Sequence, residues 1–301
     1  PMKQLAVVSG KGGTGKTSLT AALAHLASSD GFTDKLVIAD ADVDAANLEL
    51  ILDPQRQKSQ DFLGGSVAVI DPERCALCGD CAQHCRFEAI IEQEGLWVVD
   101  PLACEGCGVC TLVCPNNAVA LKQNTSGQLY QSTSRYGPLV HAELRPAHEN
   151  SGKLVSQVRG TARQIAQAGS MQLVLIDGPP GIGCPVIAAL TGVDLALIVT
   201  EPTLSGSHDL ARIAGLTNHF GIPSLVCVNK ADLNPEGTLM IQDLCQDLDL
   251  EFIGSIPYDP DLPAAMAAAE PITQHNPDSP ASQAIHHLWL AITQALNGPH
   301  R

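Results

Sequence analysis

The stretch Leu5-Ala6-Val7-Val8-Ser9-Gly10-Lys11-Gly12-Gly13-Thr14-Gly15-Lys16-Thr17-Ser18 decides how the rest of the chain is read. Its apolar start, Leu5 to Val8, predicts a buried strand, and Ser18 to Ala27 predicts a helix with Leu19, Leu23 and Leu26 on one face. Between them, Gly10 to Thr17 satisfies the pattern G-x-x-x-x-G-K-[ST] of a phosphate-binding loop. Gly10, Gly12, Gly13 and Gly15 let the backbone approach phosphates, and the N–H groups through Thr14 to Ser18 at the helix start bind the anion. Lys16 is placed to reach the outer phosphates and Thr17 to ligate Mg²⁺.

Lys11 narrows this further. A lysine directly after the first glycine resembles the deviant phosphate loops of the MinD, ParA, Mrp and nitrogenase iron protein group. That resemblance implies an α/β fold with a doubly wound, mainly parallel sheet of the SIMIBI type, ATP and Mg²⁺ as ligands, and ATPase activity. It also implies a dimer, of two copies or with a paralogous ATPase, in which Lys11 reaches the partner's nucleotide.

Other segments follow in the order the group requires. Asp40-Ala41-Asp42-Val43-Asp44, after the strand Leu36 to Ala39, resembles its first switch. Asp42 then matches the carboxylate that positions the attacking water. Asp40 is expected at the strand end and Asp44 in the first turn of a helix. Leu173 to Asp177, with Gly178-Pro179-Pro180-Gly181, resembles the second switch, Asp177 holding a Mg²⁺-bound water. Catalytic roles thus fall to Lys11, Lys16, Asp42 and Asp177. Strands Leu195 to Thr200 and Ser224 to Val228 complete the sheet, the latter leading into Asn229-Lys230-Ala231-Asp232. This tetrapeptide resembles the guanine motif of GTPases, whereas in the group named above an asparagine here contacts adenine. Asn229 is a base contact under either reading, with ATP favoured over GTP by Lys11. Ile256-Pro257-Tyr258-Asp259 resembles the adenine-edge loop, which marks Pro257; taken alone it is a proline turn ending a strand.

Eight of the eleven cysteines form two runs, Cys75-x2-Cys78-x2-Cys81-x3-Cys85 and Cys104-x2-Cys107-x2-Cys110-x3-Cys114. Val69-Ile70-Asp71-Pro72 before the first recurs as Val98-Val99-Asp100-Pro101 before the second, and the cysteines keep the same offset of 29 residues. Ala89-Ile90 and Ala118-Val119 repeat after them as apolar cover. The spacing is that of two [4Fe–4S] clusters; structural zinc usually pairs Cys-x2-Cys knuckles across a longer gap. The runs resemble bacterial two-cluster ferredoxins, which implies one cluster on Cys75, Cys78, Cys81 and Cys114 and the other on Cys104, Cys107, Cys110 and Cys85. The proline usual after the fourth cysteine stands as Pro115 in one run and is Arg86 in the other, a cation expected to favour the reduced form of a neighbouring cluster. These readings divide the chain into an ATPase domain, 1–59 and 125–301, and an inserted α+β ferredoxin-like domain, 60–124.

Cys184 lies seven residues after Asp177, an offset matching a cluster cysteine in the nitrogenase iron protein. It marks a possible metal site at the dimer interface, against the plainer role of a small residue starting a helix. Cys227 and Cys245 read as core residues.

A net charge of −15 argues against nucleic-acid binding. Acidic residues crowd the cysteine region and suit a basic redox or metallocluster-carrying partner. Without an 18-residue apolar run or signal peptide, and with clustered thiols, a cytoplasmic protein is expected, Pro1 reading as an addition before Met2. The helix Ala281 to Leu296 carries Ile285, Leu288, Trp289, Ile292 and Leu296 as a stripe and no Lys or Arg, so it is expected to pack in the core rather than anchor to membrane. Short strands are expected at Gln128–Tyr130 and Leu139–Ala142 around a Ser/Thr-rich turn, then a helix from Lys153 to Ala168 with Ser151 as N-cap. His141, His148 and His208 are expected in exposed loops. The function implied is ATP turnover coupled to iron–sulfur electron transfer or to metallocluster assembly on a partner. The alternative is a nucleotide-switched spatial organiser whose clusters are structural or redox-sensing.

Overall fold

The computed structural model describes residues 2–32, 34–145 and 150–298. In chain order the chain forms β1 (Lys3–Ser9), α1 (Lys16–Ser29), β2 (Leu36–Asp40), α2 (Leu48–Leu52), β3 (Gln55–Ile70), α3 (Asp80–Gln83), β4 (Ile90–Gln93), β5 (Leu96–Val99), α4 (Val109–Val113), β6 (Val119–Ser134), β7 (Gly137–Leu144) and α5 (Ser151–Ala168). It continues with β8 (Leu173–Pro180), α6 (Cys184–Leu190), β9 (Leu195–Thr200), α7 (Leu204–His219), β10 (Ser224–Asn229), α8 (Pro235–Asp247), β11 (Glu251–Ile256), α9 (Leu262–Ala267), α10 (Ile272–His275) and α11 (Pro280–Asn297). Two compact units result, one from the described residues of 1–59, 129–143 and 151–301, the other from those of 60–128 and 144–150.

In the first unit, β1, β2, β8, β9 and β10 are buried over nearly their whole length around apolar centres, the signature of strands covered on both faces. They pair in parallel: Leu5 stands beside Leu175 on one side and Leu195 on the other. The sheet order is β11-β10-β9-β1-β8-β2-β7-β6-β3. Order reverses around β1, so the loops after β1, β2, β8 and β10 gather at one edge, where such sheets bind ligands. The stripe of α11 is buried as expected, with Trp289 Nε1 donating to Asp30.

The second unit keeps the duplication in its backbone. Asp71 N–H donates to Ala118 and Asp100 N–H to Ala89, the same bond made once by each half at 2.8 Å. Gly79 and Gly108 precede α3 and α4 with φ of 80° and 78°, a conformation that favours glycine in each. Ala68, Cys81, Ile90 and Val119 form its apolar centre.

Several expectations fail here. The strands after the cysteine region are long, β6 and β7, and turn at Arg135-Tyr136 rather than in the Ser/Thr-rich segment. Polar residues alternating along β6 hid it from a search for apolar runs. Ser151 is the first residue of α5 rather than a cap. Asp44 sits in a turn, since α2 begins only at Leu48, after the chain has bent back to Asp40. His208 lies exposed on α7, not in a loop, and His148 falls outside the described residues.

His141 is the larger correction. It is on β7 and fully buried, Nε2 2.9 Å from Ser132 Oγ and Nδ1 3.2 Å from Glu49 Oε2. Burial pushes its pKa from 6.5 down to about 4, with Glu49 opposing. The unfolded chain therefore takes up a proton below pH 6.5 that folded His141 refuses until about pH 4. Stability contributed by the neutral ring is present above that window and lost as pH falls through it. Calorimetry from pH 6.5 to 4 is expected to show the melting temperature of the wild type falling more steeply than that of His141→Gln; equal slopes would contradict this.

Candidate functional site

The loop between β1 and α1 is shaped for an anion. Gly13 and Gly15 adopt φ of 80° and 85°, and a Cβ on Gly10 would collide with Asp209. Thr14 Oγ1 is buried with no partner among the described residues, the state of a group that expects a ligand.

Behind the loop, Lys16 Nζ lies 3.0 Å from Asp177 Oδ1 and 3.4 Å from Asp42 Oδ2, nearly buried. Thr17 Oγ1 donates to Asp177 Oδ2 at 2.7 Å and Thr20 Oγ1 to Asp177 Oδ1 at 2.9 Å. Burial works to lower the Lys16 pKa, but Asp177 and Asp42 outweigh it and leave the ammonium held above its ordinary value. Burial raises the Asp42 carboxyl, with Lys16 opposing. Asp40 is raised well above the usual range, by burial first and by Asp177 next to it second. Its oxygens accept from Asp42 N–H and Leu48 N–H, which fixes the segment from 42 to 48 at both ends. Thr20 was not singled out by sequence; its signal was a hydroxyl one helical turn after Lys16 on the buried face of α1.

These groups open into a cavity of about 630 Å³ lined by Gly12 to Ser18, Asp42, Asp44, Pro179 and Asn229. Beside it lies an apolar recess lined by Leu19, Asn229, Pro257, Tyr258, Asp259 and Ile285. Asn229 Nδ2 donates to Thr14 O at 2.8 Å and Lys230 Nζ to Gly13 O at 3.4 Å, while Asp232 accepts from Tyr258 N–H at 2.6 Å. The tetrapeptide thus ties the loop after β1 to the loop after β11. Lys11 Nζ pairs with Glu201 Oε2 at 3.0 Å, and Glu201 Oε1 accepts from Lys230 Nζ at 2.7 Å. Burial works against the Glu201 carboxylate, but bonds from Lys230 and Lys11 hold its pKa below the usual value.

In the second unit the two runs interleave. One cavity is lined by Cys75, Cys78, Cys81 and Cys114, with Trp97, Ala118 and Val119; another by Cys85, Cys104, Cys107 and Cys110, with Phe87, Ala89 and Ile90. Backbone N–H groups of Ala68 and Ala118 point at Cys104 Sγ and Cys114 Sγ at 3.5 and 3.2 Å. A Cβ on Gly106 would strike Ser66 O. Among the described residues no three His, Cys, Asp or Glu side chains converge on the point a single ion would occupy. Arg86 stacks over Phe87 at 5.1 Å.

Cys184 opens α6 and is exposed; Cys227 and Cys245 are buried, their thiols pushed up by burial to about 12 and 11. No described helix is long and apolar enough to cross a membrane.

The profile of the CobQ/CobB/MinD/ParA nucleotide binding domain matches residues 5–272. An uncharacterized protein of Methanocaldococcus jannaschii is 33% identical over 293 residues, 97% of this chain and 97% of its own. The cytosolic Fe-S cluster assembly factor NBP35 of Eremothecium gossypii is 29% identical over 143 residues, 42% of this chain and 43% of its own. Septum site-determining protein MinD of Pyrococcus horikoshii, solved with Mg-ADP, superimposes with a TM-score of 0.59 at 18% identity, covering 99% of this chain and 98% of that one, a likeness of fold.

Asn229→Ala removes the bond that holds the phosphate loop to β10, and Gly15→Ala drives a methyl into Asn229 Nδ2. Both are expected to weaken ATP binding by roughly tenfold or more, read by fluorescent-nucleotide titration; unchanged affinity in both would contradict the tether.

Proposed function

The chain belongs to the CobQ/CobB/MinD/ParA nucleotide-binding family, and we propose that within it this protein is an ATPase that couples ATP turnover to iron–sulfur electron transfer or to metallocluster assembly on a partner protein. The observation that carries the proposal is the partition of eight cysteines between two cavities, three from one run and one from the other in each. Zinc needs its sulfurs about 2.3 Å from one ion. Thiols standing around a cavity, with backbone N–H groups turned to two of the sulfurs, suit a cubane instead. Partial similarity to NBP35 agrees with this chemistry.

At the nucleotide, Lys16 exchanges Asp177 for the β- and γ-phosphates of ATP. Thr17 and Asp177, bonded to each other without nucleotide, are the pair that would hold Mg²⁺, Asp177 through a water. Asp42, desolvated and freed of Lys16, accepts the proton of the attacking water at Oδ2. Pro179, Pro180 and Gly181 follow Asp177 and respond to loss of the γ-phosphate. Asn229 and Pro257 border the base recess. Lys11 serves the nucleotide of a second chain, a copy or a paralogue. Bound clusters supply one-electron steps, and Ala68 and Ala118 N–H groups stabilise the thiolates that would hold them.

Anaerobically purified protein is expected to carry about eight iron and eight acid-labile sulfide per chain, and Cys78→Ser about half of each. Zinc in place of iron after anaerobic reconstitution would sink the cluster assignment. Lys16→Ala is expected to lower hydrolysis at least about 100-fold while leaving iron content unchanged.

A further inference from the structure

Two lysines of the nucleotide site converge on one carboxylate. Glu201 is the residue immediately after β9, largely enclosed, and each of its oxygens takes one ammonium: Oε2 that of Lys11 at 3.0 Å, Oε1 that of Lys230 at 2.7 Å. Ser205 Oγ accepts a further bond from Lys11 Nζ at 3.4 Å, and Ser9 Oγ donates to Lys11 O at 2.8 Å, so both backbone and head of Lys11 are held within its own chain. An ammonium committed to a carboxylate in cis is not free to neutralise phosphate in trans. We propose that Glu201 is a positioning residue that latches the signature lysine within its own chain and sets how readily nucleotide closes the dimer. This rests on the cross-interface role of Lys11 proposed above.

The second lysine makes such a latch reversible. A lone carboxylate left enclosed after its partner departs pays a desolvation penalty. Here Lys230, fixed also by its bond to Gly13 O, keeps Glu201 paired after Lys11 leaves. Opening therefore moves the Lys11 ammonium from one anion, the Glu201 carboxylate, to another, a phosphate, and leaves Glu201 paired with Lys230.

The test is the dissociation constant of the dimer formed with Mg²⁺ and a slowly hydrolysed ATP analogue, at analogue concentrations saturating each variant, by sedimentation equilibrium. Four chains are compared: wild type, Glu201→Gln, Lys11→Ala and the double variant. Glu201→Gln keeps shape and removes charge, and is expected to tighten the dimer roughly three- to tenfold. In the Lys11→Ala background the same substitution is expected to change nothing. The same four chains without nucleotide are expected to remain equally monomeric, so tightening seen only with the analogue separates positioning from association of damaged protein. Unchanged or weaker assembly of Glu201→Gln overturns the latch, as does equal tightening with and without Lys11. Wild-type assembly of Lys11→Ala would instead remove the cross-interface role itself and the latch with it.

Discussion

Two buried carboxylates stand side by side in the sheet, and the nucleotide site is organised around keeping them paired. Asp40 and Asp177 are register partners on neighbouring parallel strands, both fully enclosed. Two carboxyls this close and this enclosed resist ionising together, which is why burial and Asp177 raise Asp40 well above the usual range, and donors surround both. Lys16, Thr17 and Thr20 serve Asp177, and the Asp42 and Leu48 N–H groups serve Asp40. Three of these five donors come from the first turns of α1, so the phosphate loop cannot be placed independently of β8. A nucleotide that draws Lys16 and Thr17 forward removes two donors from Asp177 at once. Asp177 would then be free to serve, with Thr17, a Mg²⁺ bound beside the phosphates, so that phosphate and metal binding would depend on one another.

The same constraint reaches the segment that follows β2. Leu48 N–H, bonded to Asp40, is the start of α2, and the next residue, Glu49, meets Arg56 at 3.1 Å and lies beside His141. Arg56 in turn stacks 4.1 Å over Tyr130. The segment between Asp42 and β3 is thus held at one end by the buried Asp40 carboxylate and at the other by a buried imidazole. A change in the pairing at Asp40 has a continuous set of polar contacts through which to act within the nucleotide unit, each of them open to double-mutant analysis.

Much of this was legible in the sequence because the chemistry demanded short, dense patterns. The loop from Gly10 to Thr17 and the two cysteine runs each pack their functional residues within a dozen positions, where spacing alone restricts geometry. Residues acting as single members of distant sets left no such trace. Thr20 reads as an ordinary helical threonine until β8 places Asp177 beneath it. Glu201 reads as a strand-end acid until Lys11 and Lys230 meet at it. His141 interrupts the apolar run Leu139-Val140, and a polar residue there suggests a surface; only Ser132 and Glu49, nine and ninety-two positions away, explain its burial. Asp44 misled for a local reason, since the turn at Ala45 and the bonds to Asp40 delay the helix beyond it.

The central claim, that nucleotide turnover and the cysteine-bound clusters act on one another, is most directly tested by the steady-state ATPase rate of the anaerobic holoprotein. It is measured once with the clusters oxidised and once after stoichiometric reduction, with an eight-serine variant of the two cysteine runs as reference. Coupling predicts rates differing by several-fold between the two redox states of the holoprotein, equivalent to about 1 kcal/mol or more of coupling free energy, and no difference in the reference. Identical rates in oxidised and reduced holoprotein would contradict the account and leave an ATPase whose clusters take no part in its turnover.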